Sequence, residues 1–296
     1  MLISKKIEEE PIQNKYERII ERYSSSMKSD IISFHYQNPR VIDGLIEWLE
    51  ESPESALILR EDNIIKAIAI YEQGDCAERD MWIFVGEQYR NHGIGSELLF
   101  AVLEEMKFAG TQTVLCDFVR NDIIHNFLSQ NGFKHYYDSV YMASETILSK
   151  EEFTGVRHYE DKDYIETFEL ASRAFHNMGL SVGLNSKRDE PTDKSRKQYL
   201  DNSSDLFILE SDGKIVASLL LNENSIERVA VKVDCQRRGY GRKMIKFALS
   251  ELYRRGYSKC FLWCLVGNPA EYLYKIEGFV VEDYYEIMNM SLSNCN

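Results

Sequence analysis

The sequence predicts an α/β chain of two tandem units, each a mixed sheet flanked by helices. One short signature occurs twice, 146 positions apart: Arg90-Asn91-His92-Gly93-Ile94-Gly95 and Gln236-Arg237-Arg238-Gly239-Tyr240-Gly241. The same offset relates Val85 to Val231, Gly110 to Gly256, and the pair Gly132-Phe133 to Gly278-Phe279, with no gap required. A fixed offset of this kind marks an internal duplication. The length of 296 residues suits two domains of about 150, each large enough to bury its own core.

In the first unit, residues 16–23 and 40–50 read as helices. Residues 56–60 and 64–71 read as a hairpin turning at Asp62-Asn63, and 80–85 as the next strand. Residues 93–110 place Leu98, Leu99, Val102, Leu103 and Met106 on one face, an amphipathic helix ending at a glycine. A strand at 113–118, a helix at 122–131 and two strands around 133–142 complete it. The second unit repeats the order. It has a helix at 163–175, a hairpin of 206–210 and 214–221 around Asp212-Gly213, a strand at 226–233, a helix to Gly256, then strand, short helix and two strands. The polar stretch 144–154 is the expected linker, giving domains of residues 1–147 and 153–296. Residues 176–197, rich in Gly, Ser, Asp and Lys, read as a long polar loop, either a lid or an excursion.

The repeated signature has a physical reading as a phosphate cradle. Two glycines one residue apart, where a strand turns into a helix, permit left-handed backbone and leave the first N–H groups of the helix unpaired. Such a terminus attracts anions. A single copy is equally well explained by steric need, and it is the duplication with matched surroundings that favours the cradle.

With these residues the sequence resembles the GNAT superfamily of acyl-CoA-dependent N-acyltransferases, whose signature Q/R-x-x-G-x-G/A follows the fourth strand. Ser225-Ile226-Glu227-Arg228-Val229-Ala230-Val231 is similar to that strand, and Tyr272-Leu273-Tyr274-Lys275-Ile276-Glu277-Gly278-Phe279 to the later L-Y-x-K-x-G-F element. In the first half Met81-Trp82-Ile83-Phe84-Val85 and residues 121–133 fill the same slots more loosely. The resemblance implies tandem GNAT domains, with acetyl-CoA as co-substrate and acetyl as the default acyl group. It also implies that residues 176–197 contact the acceptor.

Acyl transfer to an amine needs a deprotonated nucleophile, a donor where the thioester carbonyl gains charge, and an acid for the leaving thiolate. The resemblance assigns Tyr274 as that acid and Glu227 as the base. The CoA-binding set is Val229, Ala230 and Val231 along the strand, Arg237, Arg238, Gly239, Tyr240, Gly241, Arg242 and Lys243 around the turn, and Asn268. The family's Asn position falls on Gly267, with Asn268 one place late, so its role is open. Packing remains an alternative for Tyr274, and a solvated sheet face for Glu227. The first half has Met81 and Leu128 at the corresponding positions, so it is expected to be catalytically silent. Whether its turn at Arg90, Gly93 and Gly95 also binds CoA is left open. His92 and His176 read as surface polar residues.

Composition narrows the class further. The net charge of −13 is concentrated in residues 1–150, with 25 acidic against 15 basic side chains. This disfavours nucleic acid and suits a cationic acceptor or a merely solvated surface. An apolar content of 44% with five prolines argues for packed domains. No apolar run approaches a membrane span, and the N-terminus lacks a secretory pattern, so a cytoplasmic protein is expected. The six cysteines lack metal spacing. Cys260 and Cys264 on one strand would lie about 13 Å apart, too far for a disulfide, so reduced core thiols and no metal are expected. The expected acceptor is a small-molecule amine. A protein N-terminus or lysine, or a non-catalytic acyl-CoA-binding regulator, is the alternative, and the oligomeric state is unspecified.

Overall fold

A computed structural model describes residues 18–32, 39–74, 77–185 and 187–292. It divides into two compact units, and neither is one continuous stretch. The first draws on Met1–Asp117, Asn126–Lys134 and Met288–Asn296, the second on Phe118–His125 and His135–Ile287. Among the described residues no helix is long and apolar enough to cross a membrane.

In the first unit, β1 (Arg18–Arg22), β2 (Ala56–Glu61), β3 (Ile64–Tyr71) and β4 (Glu78–Val85) pair antiparallel in sequence order. β5 (Thr113–Val119) then joins β4 in parallel. The β2–β3 hairpin turns as read, with Asp62 and Asn63 at φ 52° and 61°, a two-residue primed turn whose twist matches its strands. Helices α1 (Lys28–Ile32) and α2 (Pro39–Glu51) lie on one face, with Leu45 and Leu49 packed on Ile58, Ile68 and Ile70. α3 (Ile94–Phe108) buries Ile94, Leu98, Leu99, Val102, Leu103 and Met106, the stripe expected from its 3.6-residue period.

The helix expected over 16–23 is a correction. Residues 18–22 form β1, paired from Arg18 with Glu61 to Arg22 with Leu57, while 16 and 17 lie outside the described residues. Ile19-Ile20 is a β-branched pair beside an unpaired strand edge, and the ladder offered by β2 outweighs a weak helical spacing. The paired strands expected around 133–142, and again at the C-terminus, are also corrected. Helix α4 (Asp122–Gln130) leads into the single strand β6 (Lys134–Glu145), and the last strand is β12 (Val280–Ser291).

The second unit orders β6, β11 (Lys259–Leu265), β10 (Ser225–Val231), β9 (Lys214–Asn222), β8 (Leu206–Ser211) and β7 (Val156–His158). β6, which belongs to the first sequence repeat, runs antiparallel to β11 from Lys259–Glu145 to Leu265–Ser139. One face carries α7 (Tyr240–Arg254), whose Met244, Ile245, Ala248 and Leu252 pack on Ile226, Cys260, Leu262 and Cys264. The other carries α5 (Tyr164–Ser181) and α6 (Asp193–Asp201), packed on Leu206, Ile208, Ile215 and Leu220. The segment 176–197, expected as a polar loop, is thus helical at both ends. Phe175 packs on the core beneath α5, and Thr192 caps α6 by accepting from the Ser195 amide, a capping box within the polar run. α8 (Ala270–Ile276) precedes β12. The thiols of Cys116, Cys260 and Cys264 are buried and free, and burial pushes those of Cys260 and Cys264 up to about 12.

In the first unit Asp80 lies partly buried on β4, and burial, then the Glu72, Asp117 and Glu78 carboxylates, raise it to about 7. The unfolded chain loses this proton near 3.8, so between these values the folded state binds the extra proton and stability falls as pH rises. Asp80→Asn is expected to raise Tm at pH 8 by several degrees (about 4–8 °C per kcal/mol for small domains) and to change it little at pH 4. Calorimetry at the two pH values measures this.

Candidate active site

β10 is irregular where the sequence placed its chemistry. Its antiparallel register with β9 shifts between Glu227 and Ala230, and Arg228 sits at φ 50°. This β-bulge twists the strand. On its other edge β10 pairs with β11 in parallel only at Ser225–Phe261, so Ile226–Val231 diverges from β11 and leaves an opening between them. Glu227 is half-buried, and its Oε1 accepts from Asn222 Nδ2 at 3.2 Å. Arg228 reaches the other way, donating to the Tyr199 hydroxyl at 3.0 Å with its guanidinium 4.9 Å from the ring centre. Val182, just past α5, lies 3.6 Å from where a Cβ on Gly267 would stand. The α5–α6 segment therefore borders the opening from the bulge to the Gly267 loop.

At its far end β10 feeds the glycine turn. Arg237 (φ 60°) and Gly239 (φ 85°) are left-handed, and Gln236 Nε2 donates to the Val231 carbonyl at 3.2 Å, bracing turn to strand. Gly239 is the N-cap of α7, and no side chain caps the helix. A Cβ on Gly241 would stand 3.4 Å from Leu273 and 3.5 Å from Val231, ordinary contact distances, so the special backbone of this turn rests on Gly239 and not on Gly241. Tyr240 donates to Ser211 Oγ at 3.1 Å. The four cations expected around the turn fall into two pairs. Arg242 is bound to the buried Glu277 at 2.5 Å, and Lys243 to the Thr154 carbonyl at 2.6 Å. Arg237 and Arg238 are exposed and make no ion pair among the described residues. An uncapped helix N-terminus with two open guanidinium groups suits a pyrophosphate.

Tyr274 is 7% exposed on α8, its ring centre 6.0 Å from that of Phe279. Burial, and secondarily Cys264, raises its phenol far above the ordinary range. It stays protonated at any working pH, and it packs within the apolar core under α7. Asn268 accepts from the Ala270 amide through Oδ1 at 2.9 Å, starting α8, so its side-chain oxygen is engaged in an Asx turn. Val229 and Val231 pack at the margin of the core and Ala230 lies beneath α5. His176, read as a surface residue, is half-buried, with Nδ1 enclosed and unpartnered among the described residues.

The corresponding place in the first unit differs in three respects. Its turn has the same backbone, with Asn91 and Gly93 at φ 64° and 78°, and Arg90 Nε donates to the Val85 carbonyl at 3.2 Å as Gln236 does to Val231. Its strand, however, has no bulge. β4 pairs with β3 without interruption from Val85 to Met81, and with β5 at Glu78, Arg79 and Asp80. Met81 and Leu128 are both fully buried. Finally, Arg18 lies on the turn, paired with Glu97 at 3.0 Å and donating to the His92 carbonyl at 3.4 Å, so the protein's own charges occupy the first turn of α3. Sequence reasoning could not anticipate the bulge at Arg228 or the α6 contact from Tyr199. A non-glycine left-handed residue carries no composition signal, and Tyr199 is 29 residues away.

Family models agree with this geometry: an acetyltransferase (GNAT) family model matches residues 164–279 and an acetyltransferase (GNAT) domain model matches residues 52–135. The chain is a tandem GNAT acetyltransferase. Its fold resembles a GCN5-related N-acetyltransferase from Sphaerobacter thermophilus, with a TM-score of 0.74, 17% identity, and 94% of this chain and 96% of that one covered. A tandem GNAT protein of the clavulanic acid biosynthesis pathway aligns with a TM-score of 0.62 at 10% identity over 95% and 100% of the two chains. A glucosamine N-acetyltransferase region of a fungal β-N-acetylglucosaminidase aligns with a TM-score of 0.67 at 14% identity, covering 93% of this chain and 38% of that one. At these identities the likeness establishes the fold. No curated protein matches in sequence. GNAT proteins are acyltransferases, and the family generally uses acetyl-CoA. Among the described residues no group of His, Cys, Asp and Glu is arranged to hold a metal.

The two glycine turns of this GNAT chain provide a matched test. Gly93 and Gly239 share φ near +80° (78° and 85°), and a Cβ on either meets nothing within 4 Å. Valine at each therefore carries the same backbone strain, about 1–3 kcal/mol. Gly239→Val is expected to weaken CoA binding by at least about tenfold, whereas Gly93→Val leaves it unchanged. Calorimetric titration of the two folded variants with CoA compares them.

Proposed function

We propose that this chain transfers the acetyl group of acetyl-CoA to the primary amine of a small molecule, and that the second unit does so while the first is catalytically silent. One observation carries the assignment: the bulged, diverging β10 leads to an uncapped left-handed turn with free Arg237 and Arg238, and only the second unit combines these features among the described residues. The pyrophosphate of CoA is assigned to residues 237–241 and the pantetheine arm to the opening beside Val229–Val231. Arg242 and Lys243 then act as supports, holding α7 to Glu277 and Thr154.

In the reaction Glu227 receives a proton from the substrate ammonium, directly or through water. The freed nitrogen attacks the thioester carbonyl, and a C–N bond forms. Backbone N–H groups of the bulge stabilise the charge developing on the carbonyl oxygen. The C–S bond breaks as the Tyr274 phenol gives its proton to the departing thiolate, the nitrogen passes its second proton back to the Tyr274 phenolate directly or through water, and Glu227 releases its proton to solvent. The products are an amide, CoA thiol and one proton. That α5–α6 borders both ends of the opening, through Tyr199 at Arg228 and Val182 at Gly267, supports a small acceptor over a polypeptide.

Tyr274→Phe is expected to lower kcat by about 10²–10⁴-fold with KM for acetyl-CoA little changed. Glu227→Gln is expected to remove the acidic limb of the kcat/KM pH profile with a smaller loss of rate. Free-thiol release across a panel of amines measures both. Retention of more than half of kcat in Tyr274→Phe, with chemistry limiting, would return Tyr274 to a packing role.

A further inference from the structure

The face of the second sheet opposite α7 bears an aromatic shelf beside Glu227. β11 alternates: Cys260, Leu262 and Cys264 enter the core under α7, so Phe261 and Trp263 point to the other face. Tyr141 of β6 stands directly across from Trp263. Its ring stacks on Phe261 at 5.2 Å between centres and 7° between planes, and meets Trp263 at 4.9 Å. Tyr285 of β12 closes on Trp263 edge to face at 4.6 Å. Although the four rings support one another, Trp263 remains 49% exposed. The apolar cluster beneath α5 and α6 draws its sheet residues from β8, β9 and β10 and includes none from β11 or β6.

Glu227 belongs to this same face. Ser225 pairs with Phe261 and therefore shares its side of the sheet. Glu227 is two residues further on, before the register shift, while Ile226 between them enters the opposite core. In parallel register Glu227 stands level with Trp263, one strand away. The shelf and the proposed base are thus neighbours, on opposite sides of the opening through which the thioester is presented.

Resting on the acyltransferase reading above, we infer that the acceptor is an arylalkylamine, with its ring on Trp263 and Tyr141 and its ammonium at Glu227. Ring stacking on this shelf explains why a half-exposed tryptophan is held by two aromatic neighbours, Tyr141 and Tyr285. The carboxylate of Glu227 favours a cationic partner. The acceptor loses its ammonium proton and gains the acetyl group in the step already given.

The test compares tyramine, phenethylamine and tryptamine with spermidine and glucosamine as acceptors, and measures tyramine binding by calorimetry in the presence of CoA. Arylalkylamines are expected to exceed the polar amines in kcat/KM by about tenfold or more. Trp263→Ala is expected to raise KM for tyramine about tenfold and weaken its binding equally, with KM for acetyl-CoA unchanged and the chain still folded, while Trp263→Phe stays within about threefold of wild type. Acetylation of spermidine or glucosamine in preference to the aromatic amines overturns the inference and leaves the acyltransferase reading intact. Tyramine binding that requires Trp263 but yields no acetyl transfer supports the shelf and overturns the reaction. Tyramine binding or turnover unaffected by Trp263→Ala overturns the shelf.

Discussion

The early end of pairing between β10 and β11 is the constraint on which the site depends. After Ser225 meets Phe261 the parallel ladder stops, and the bulge between Glu227 and Ala230 twists β10 away. The left-handed backbone at Arg228 costs on the order of 1–3 kcal/mol for a non-glycine residue. It persists because Tyr199 receives the Arg228 guanidinium by hydrogen bond and ring contact. That strain lies where the two ladders of β10 are interrupted, between Glu227 and the Gly239 turn.

Most of the fold was legible because the duplication is written in glycines whose backbone role is strict. Gly93 and Gly239, Gly110 and Gly256, and Gly132 and Gly278 all have positive φ, between 78° and 98°, so the repeat visible in the sequence is a repeat of backbone shape. Hairpins at Asp62-Asn63 and Asp212-Gly213 were readable for the same reason. What could not be read was long-range. Nothing local to residues 18–22 reveals that β2 has a free edge, and nothing in residues 139–145 says that their partner is β11. The glycine turn was legible because its residue types are tied to local backbone geometry, whereas the burial of Tyr274 in the apolar core depends on distant packing. Sequence gave Arg242 and Lys243 the same standing as Arg237 and Arg238, because charge is visible in a sequence and its partners, Glu277 and Thr154, are not.

The comparison of the two units shows how a repeat can keep its frame while its chemistry diverges. Both turns are braced by a side chain bonded to the strand carbonyl at 3.2 Å, Gln236 in one and Arg90 in the other. In the first unit β4 keeps an unbulged ladder with β3 although its pairing with β5 ends at Asp80, the positions that match Glu227 and Tyr274 are the buried apolar Met81 and Leu128, and Arg18 and Glu97 neutralise each other at the helix start. A glycine turn is therefore a feature of the fold. On the reading proposed above, the unpaired cations Arg237 and Arg238 are what make one of the two turns a phosphate site.

The central claim is that one of the two turns receives CoA. Calorimetric stoichiometry on the intact chain tests it most directly. The structure predicts one CoA per chain, with affinity falling when Arg237 and Arg238 are both replaced by glutamine and unchanged when Arg90 is so replaced. Two equivalents bound per chain, or a single one lost on replacing Arg90, would contradict the account.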